Sequence, residues 1–258
     1  MEPISLASQT IFHIGPFAIT NTIIATWLAM LTLIIIGLSL GKIKNIPEGL
    51  QNIAEFAIES LLNLVDGITH DREKSRRFFP WIASFFLFIL IANWMELIPG
   101  FGSIGLRGIE NGKEAFIPIL RGANTDINTT LALGLISALM TQIFGIIAIG
   151  IIKYGKKFIN FSSPIEFFVG ILELISEVAR IISFAFRLFG NIFAGEVLLI
   201  VITFLAPYII PVPFYGMELF VGFIQALVFS MLTLVFMTIA SMDHEEHENI
   251  KTQEQNNK

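Results

Sequence analysis

Four uncharged runs, Ile23 to Leu40, Phe78 to Met95, Ile127 to Ile152 and Leu219 to Met242, constrain this chain more than any other feature. Each is long enough as an α-helix to cross about 30 Å of hydrocarbon, where a chain must satisfy every backbone hydrogen bond internally. With 54% hydrophobic and 14% charged residues there is too little polar side chain to cover such runs with a soluble shell. The sequence therefore predicts an all-α integral membrane protein. A fifth apolar stretch, Pro164 to Ala206, is interrupted by Glu166, Glu173, Glu177, Arg180, Arg187 and Glu196. Read as one crossing it brings the count to five transmembrane helices; read as a hairpin of two spans, to six. The last span extends over 214–242. At about 20 residues per span, 258 residues leave little for an extramembrane catalytic domain. Residues 1–242 are expected to form one polytopic membrane domain, and 243–258 a disordered cytoplasmic tail.

Charge and composition close off several functions. The chain has no cysteine, which excludes disulfides, thiolate catalysis and cysteine metal sites. Its net charge of −5 owes much to residues 243–258, where five acids face Lys251 and Lys258. The remaining body is close to neutral, which argues against a nucleic-acid partner. Residues 1–22 contain no Lys or Arg, so the first apolar run is expected to be retained rather than cleaved as a signal peptide.

Residues 45–70 follow a different pattern. Ile46, Leu50, Ile53, Ala57, Leu61, Leu64 and Ile68 recur at helical spacing, while Glu48, Gln51, Glu55, Glu59, Asn63 and Asp66 take the other face. This predicts an interfacial amphipathic helix with Pro47 in its first turn. Its polar face is acidic, which suits packing on protein better than binding anionic headgroups. Basic residues set the orientation. Lys42, Lys44, Arg72, Lys74, Arg76 and Arg77 lie between the first two spans, and Lys153, Lys156 and Lys157 follow the third. By the positive-inside rule both loops are cytoplasmic, the N-terminus is outside and the acidic tail inside.

The charged segment carries the functional argument. On a helix at about 100° per residue, Glu166, Glu173, Glu177, Arg180, Arg187 and Asn191 fall within one face, and Glu196 lies opposite Arg187, about 13 Å further along. A continuous helix of this length is about 60 Å long, twice the hydrocarbon thickness, and must tilt steeply or break. Between Ile165 and Ala206 there is no proline, which favours tilt, although Gly190 and Gly195 permit a bend. An arginine at bilayer depth costs about 2.5–3.5 kcal/mol on insertion scales and requires a partner or a water-filled cavity. Arginine does not release its proton, so Arg187 can act only as a fixed charge. Carboxylates shift with burial and with neighbouring cations, which makes Glu173, Glu177, Glu196 and Glu218 candidate proton carriers. Arg180, one turn from Glu177 and two from Glu173, is their expected ion-pair partner. In the last span Glu218 and Gln225, seven residues apart, share a helix face.

The run Arg187-Leu-Phe-Gly-Asn191-Ile-Phe-Ala-Gly-Glu196 resembles the signature of subunit a of the F-type ATP synthase, the stator that conducts ions past the rotating c-ring. The resemblance extends through Asn93-Trp-Met-Glu-Leu-Ile-Pro-Gly100, Thr125-Asp-Ile-Asn-Thr-Thr130 and Gln225-Ala-Leu-Val-Phe-Ser-Met-Leu-Thr233, in order, across nearly the whole chain. It implies two offset half-channels meeting the c-ring near mid-membrane. Arg187 then stands at the essential gate, Glu196, Glu218, Asn191 and Gln225 in the outer half-channel, and Glu173 in the inner one with Glu177 beside it. The implied partners are the c-ring, the peripheral-stalk subunit b, other ATP synthase subunits, the bilayer and the transported proton, in a bacterial inner membrane. No cofactor, metal or nucleotide is implied, and the chain is expected not to be an enzyme on its own. In some relatives His stands at the position of Glu218 or of Glu196; two carboxyls here are expected to share one proton.

Other readings are weaker. Gly150-x4-Gly155-Lys156-Lys157 imitates a phosphate-binding loop but has Lys where Ser or Thr must hold magnesium, and no strand precedes it. His244 and His247 lie in the acidic tail at a spacing that does not match a zinc helix. An autonomous proton-coupled secondary transporter is the competing function; such proteins usually carry internal repeats with paired broken helices, and none is evident.

Overall fold

Helix starts are written into the sequence as capping residues. In the computed structural model, which describes residues 8–40, 49–110, 113–158 and 163–242, four helices open on such a cap. Thr20 accepts a hydrogen bond from the Ile23 amide to open α1 (Asn21–Ser39). Asp71 accepts from the amides of Glu73 and Lys74 at 2.8 and 3.3 Å to open α3 (Arg72–Glu96), and those bonds hold its carboxyl below the ordinary carboxylate range. Asp126 accepts from Asn128 at 2.9 Å to open α4 (Ile127–Ile149), and Ser163, followed by Pro164, opens α6 (Pro164–Leu205). Between α1 and α3 lies α2 (Leu50–Thr69), after α4 comes the short α5 (Ile151–Phe158), and α7 (Pro211–Ala240) closes the described chain. The apolar run expected to reach Ile152 is cut at Gly150, whose φ of +90° only glycine adopts easily.

Five of these helices, α1, α3, α4, α6 and α7, are long and apolar enough to cross a membrane, and the chain is a multi-pass integral membrane protein. α6 is a single helix of 42 residues, about 63 Å long, so the six-span hairpin is overturned. Neither Gly190 nor Gly195 interrupts it. Two antiparallel hairpins, β1 (Thr10–Ile14) with β2 (Phe17–Thr20) and β3 (Gly105–Glu110) with β4 (Lys113–Pro118), add strands that an all-α reading omits. Both lie at one end of the bundle, where the Asn21 side chain donates to the Pro118 carbonyl at 3.4 Å. This hairpin end also holds the start of α4 and the end of α3, whose Trp94 indole donates to the Leu219 carbonyl near the start of α7. The opposite, basic end holds the start of α3, the end of α4, α5 and the end of α7.

α7 is the hub, packing on α3, α4, α6 and α2. One core cluster joins Phe85 and Ile89 of α3, Leu133 of α4, Phe184, Leu188 and Ile192 of α6, and Ala226 and Phe229 of α7. A second joins Val65 of α2 with Phe78, Ile82, Leu234 and Met237. Without a hydrophobic drive between helices in lipid, close approach and buried polar bonds hold such contacts. Ser137 on α4 and Thr233 on α7 share a hydrogen bond of 2.8 Å, and Gly222 on α7 lets the Asn93 amide reach its carbonyl at 3.0 Å.

α2 departs from the stripe read in the sequence. Its packed residues are Gln51, Leu61, Val65 and Thr69, whereas Ile53, Phe56 and Leu64 are exposed. The expected apolar face is thus shared between protein and surroundings, because α3 and α7 contact only one edge of it. Pro47, Ile46 and Glu48 lie outside the described residues, as do residues 243–258.

The α3–α7 contact yields a first prediction. A side chain at Gly222 meets Asn93 at 3.1 Å, whereas Gly216, on the same helix, has open space around it. Gly222→Leu is expected to cost about 1–3 kcal/mol by overpacking, and Gly216→Leu close to nothing. Thermal unfolding of the detergent-solubilised variants, side by side, checks the contrast.

Candidate functional site

α6 is packed along one arc only. Phe184, Ala185, Leu188, Ile192 and Gly195 face α4 and α7 and are buried, while Ser183, Phe186, Arg187, Gly190, Asn191 and Ala194 are exposed. The charged residues assigned to one helix face are therefore divided. The boundary of the packed arc runs between them, turning Glu177 and Arg180 inward and leaving Arg187 and Asn191 outward. Arg187 stacks at 5.8 Å on the Phe184 ring, and among the described residues it meets no carboxylate and no hydrogen-bond acceptor. Asn191, one turn on, is equally unpartnered.

Toward the hairpin end, charge is concentrated between helices. The Glu196 carboxylate accepts from Arg121 at 3.3 Å, and both side chains are at least four-fifths buried. Glu218 of α7 turns its carboxylate into the space left by the missing side chain of Gly195, one residue from Glu196. Glu96 at the end of α3 does the same at Gly122, and it lies within electrostatic reach of Arg121, Glu196 and Glu218. Glu196 and Glu96 thus lie near one guanidinium, with Glu218 set beside Glu196 at Gly195. Around them runs a buried polar seam in which Asn124 donates to Asn93 at 2.7 Å and Thr22 donates to Asp126 at 2.8 Å. The sequence motifs contained Glu96, Asn93 and Asp126, but Glu96 and Arg121 were not assigned to the site. Their signal was weak because both stand beside loops that read as solvated.

Gln225 is separate from this cluster. The antiparallel register of α6 and α7, fixed by Gly195 against Glu218 and Phe184 against Phe229 at 5.2 Å, brings it level with Leu188 and hence with Arg187. It is partly exposed and has no hydrogen-bond partner among the described residues.

Toward the basic end lies a second cluster. Glu177 is buried and pairs with Arg180 at 2.9 Å, whose guanidinium also lies 3.8 Å over the Phe236 ring. Glu173 does not share that arginine; it pairs with Lys157 of α5 at 2.8 Å. Tyr154 of α5, 4% exposed, donates to Gln142 at 2.6 Å. Burial, aided by nearby Glu177, pushes the Tyr154 phenol up to about 12, so it stays neutral at physiological pH and acts as a fixed dipole. No sequence signal marked Tyr154, Lys157 and Gln142, which meet only because α5 folds back onto α4 and α6.

This is the arrangement of a polytopic membrane protein in which one long helix holds two clusters of charge on either side of an arginine that meets no acid among the described residues. The profile of the ATP synthase A chain family matches residues 23–238. ATP synthase subunit a of Gloeobacter violaceus is 35% identical over 248 residues, spanning 95% of this chain and 93% of that protein. The same subunit of Moorella thermoacetica is 31% identical over 88% of the chain, and that of Syntrophobacter fumaroxidans 35% over 86%. A family match over residues 23–238, with relatives at 31–35% identity along most of the chain, shows that the chain belongs to the ATP synthase A chain family.

The Tyr154–Gln142 bond supplies the second prediction. Tyr154→Phe leaves the half-buried Gln142 amide without its donor and is expected to cost about 1 kcal/mol. Tyr154→Phe with Gln142→Leu is expected to recover most of that loss, and the double-mutant cycle, measured by thermal unfolding, reports the coupling directly.

Proposed function

We propose that the chain, as the proton-conducting stator subunit of the ATP synthase membrane sector, offers its ion path as two half-channels that do not join. The observation that carries the reading is Arg187, a permanent cation on the open face of α6 with no counter-ion among the described residues. Such a charge at bilayer depth demands an external partner. A carboxylate on a rotating c-ring, docked against the small residues Ser183, Gly190 and Ala194, meets that demand.

In this reading the outer half-channel is formed by Glu196, Glu218, Asn191 and Gln225, and Glu96 and Arg121 join it by proximity. Glu218 lies against Gly195, the neighbour of Glu196, and the two carboxyls pass one proton between them. Asn191 and Gln225, level with the gate, carry it on to the rotor. The neutralised rotor carboxyl leaves Arg187 and enters lipid, because only the uncharged form does so cheaply. After nearly a full turn it releases its proton to the inner half-channel at Glu173 and Glu177. Arg187 cannot take up or give up a proton, so it blocks direct leakage between the two paths. Each elementary charge crossing 100 mV supplies about 2.3 kcal/mol, so several must be summed for each ATP.

The same reading orients the chain. The cationic residues of the basic end make it cytoplasmic and the hairpin end external, with the N-terminus outside and the tail 243–258 inside. The organisms of the relatives point to a bacterial inner membrane. Residues 1–242 act as one membrane domain, the acidic face of α2 is offered to the peripheral-stalk subunit b, and the chain catalyses nothing alone and holds no cofactor. A secondary transporter finds less support, since α6 and α7 are each continuous helices without the paired breaks of transporter folds.

Arg187→Ala in the assembled complex is expected to abolish ATP-driven proton pumping into inverted membrane vesicles; retained coupled pumping overturns the gate. Gly195→Ala, which pushes Glu218 aside, is expected to slow proton flow by at least about tenfold while the complex still assembles. A passive proton-flux assay on stripped vesicles reads that difference.

A further inference from the structure

We infer that the basic end of the bundle holds an anionic phospholipid in a pocket between α3, α4 and α7, apart from both charge clusters. The pocket has a volume of about 370 Å³. Its rim carries Lys74, Arg77 and Ser241, and its wall is apolar, with Phe78, Phe144 and Ile147 prominent. The Phe78 and Phe144 rings meet edge to face at 5.1 Å and make that wall rigid.

Depth decides what such a pocket can take. The uncharged run of α3 begins at Phe78, α4 ends at Ile149 and α7 at Ala240, so the cations stand where hydrocarbon gives way to headgroups. Residues 71–77 carry Arg72, Lys74, Arg76 and Arg77 against Asp71 and Glu73. Arg72 is engaged with Asp66, and Arg77 pairs with Glu73 at 2.6 Å, but the latter two side chains are largely exposed and the pair is weak in water. Among the described residues no carboxylate forms an ion pair with Lys74. A free phosphate gains nothing from the phenylalanine wall, and a neutral lipid gains little from the two cations. A lipid with a net anionic headgroup gains from both, since basic pockets between spanning helices attract such headgroups and the apolar wall takes the upper part of an acyl chain. The other occupant within reach is the acidic segment 243–258, which follows Ser241 closely. It matches the rim in charge, but its one aliphatic residue, Ile250, cannot fill the apolar wall.

The test uses the assembled complex, purified in detergent, equilibrated with mixed micelles of dioleoylphosphatidylglycerol and dioleoylphosphatidylcholine, washed and weighed for retained lipid by mass spectrometry. The wild type is expected to prefer phosphatidylglycerol. Lys74→Gln with Arg77→Gln is expected to reduce that preference at least about tenfold, and Ala148→Trp, which fills the pocket with the charges intact, to do the same. Arg76→Gln, on the same turn but outside the lining, is expected to behave as wild type. Unchanged preference in both the double variant and Ala148→Trp overturns the proposal. So does displacement of phosphatidylglycerol by equimolar inorganic phosphate, which marks a free-anion site, or lipid retention that appears only after truncation behind Met242, which marks the tail as occupant.

Discussion

A charge inside hydrocarbon must find an opposite charge, a hydrogen-bonding partner or water, and that single constraint orders this structure. Arg121, Arg180 and Lys157 each meet a carboxylate of α6 within 3.3 Å. Arg187 does not. The same helix thus carries charges that are neutralised toward both ends and one cation that is left open in the middle, facing outward. Packing explains how this is possible. α6 buries only the arc that meets α4 and α7, and Arg187 stands just beyond its edge, stacked on Phe184 but without an acid.

Glycine is what lets the paired charges fit. The carboxylates of Glu218 and Glu96 occupy the volume that side chains at Gly195 and Gly122 would take, so α6 and α7 hold one acid between them, and α3 and the segment before α4 hold the other. A methyl group at either place moves a carboxylate rather than a backbone. These glycines therefore act on the position of charge more than on the conformation of the chain, since neither has a positive φ.

Much of the fold was legible because membrane solvation is a coarse filter. Uncharged runs of helical length located four of the five spans, and the fifth showed as one apolar stretch in spite of its charges. The length of α6 followed from the absence of proline. What escaped was what depends on a partner distant in sequence. The strands of the two hairpins are short and lie at the bundle's end, where no periodicity reports them. Tyr154 and Lys157 read as the loop after a span because Gly150, which ends α4 and lets α5 fold back, is invisible to hydropathy. Glu96 and Arg121 sit 25 residues apart on loop-flanking positions and meet only when α3 and the segment before α4 close around α6.

The division of the six helix-face residues shows where angular arithmetic stops. At about 100° per residue they spread over roughly 80°, less than the width of an exposed face, and the calculation treats them as equivalent. A neighbouring helix does not. With α4 and α7 set against one edge, Glu177 falls inside the contact, Glu173 at its margin where α5 supplies Lys157, and Arg187 and Asn191 outside. Neighbouring positions on one helix thereby acquire three environments: a buried ion pair, a half-exposed ion pair and an open cation. In the proposed cycle those differences are the working parts, because a proton path needs acids whose environments differ and a gate needs a charge that has not already been satisfied at home.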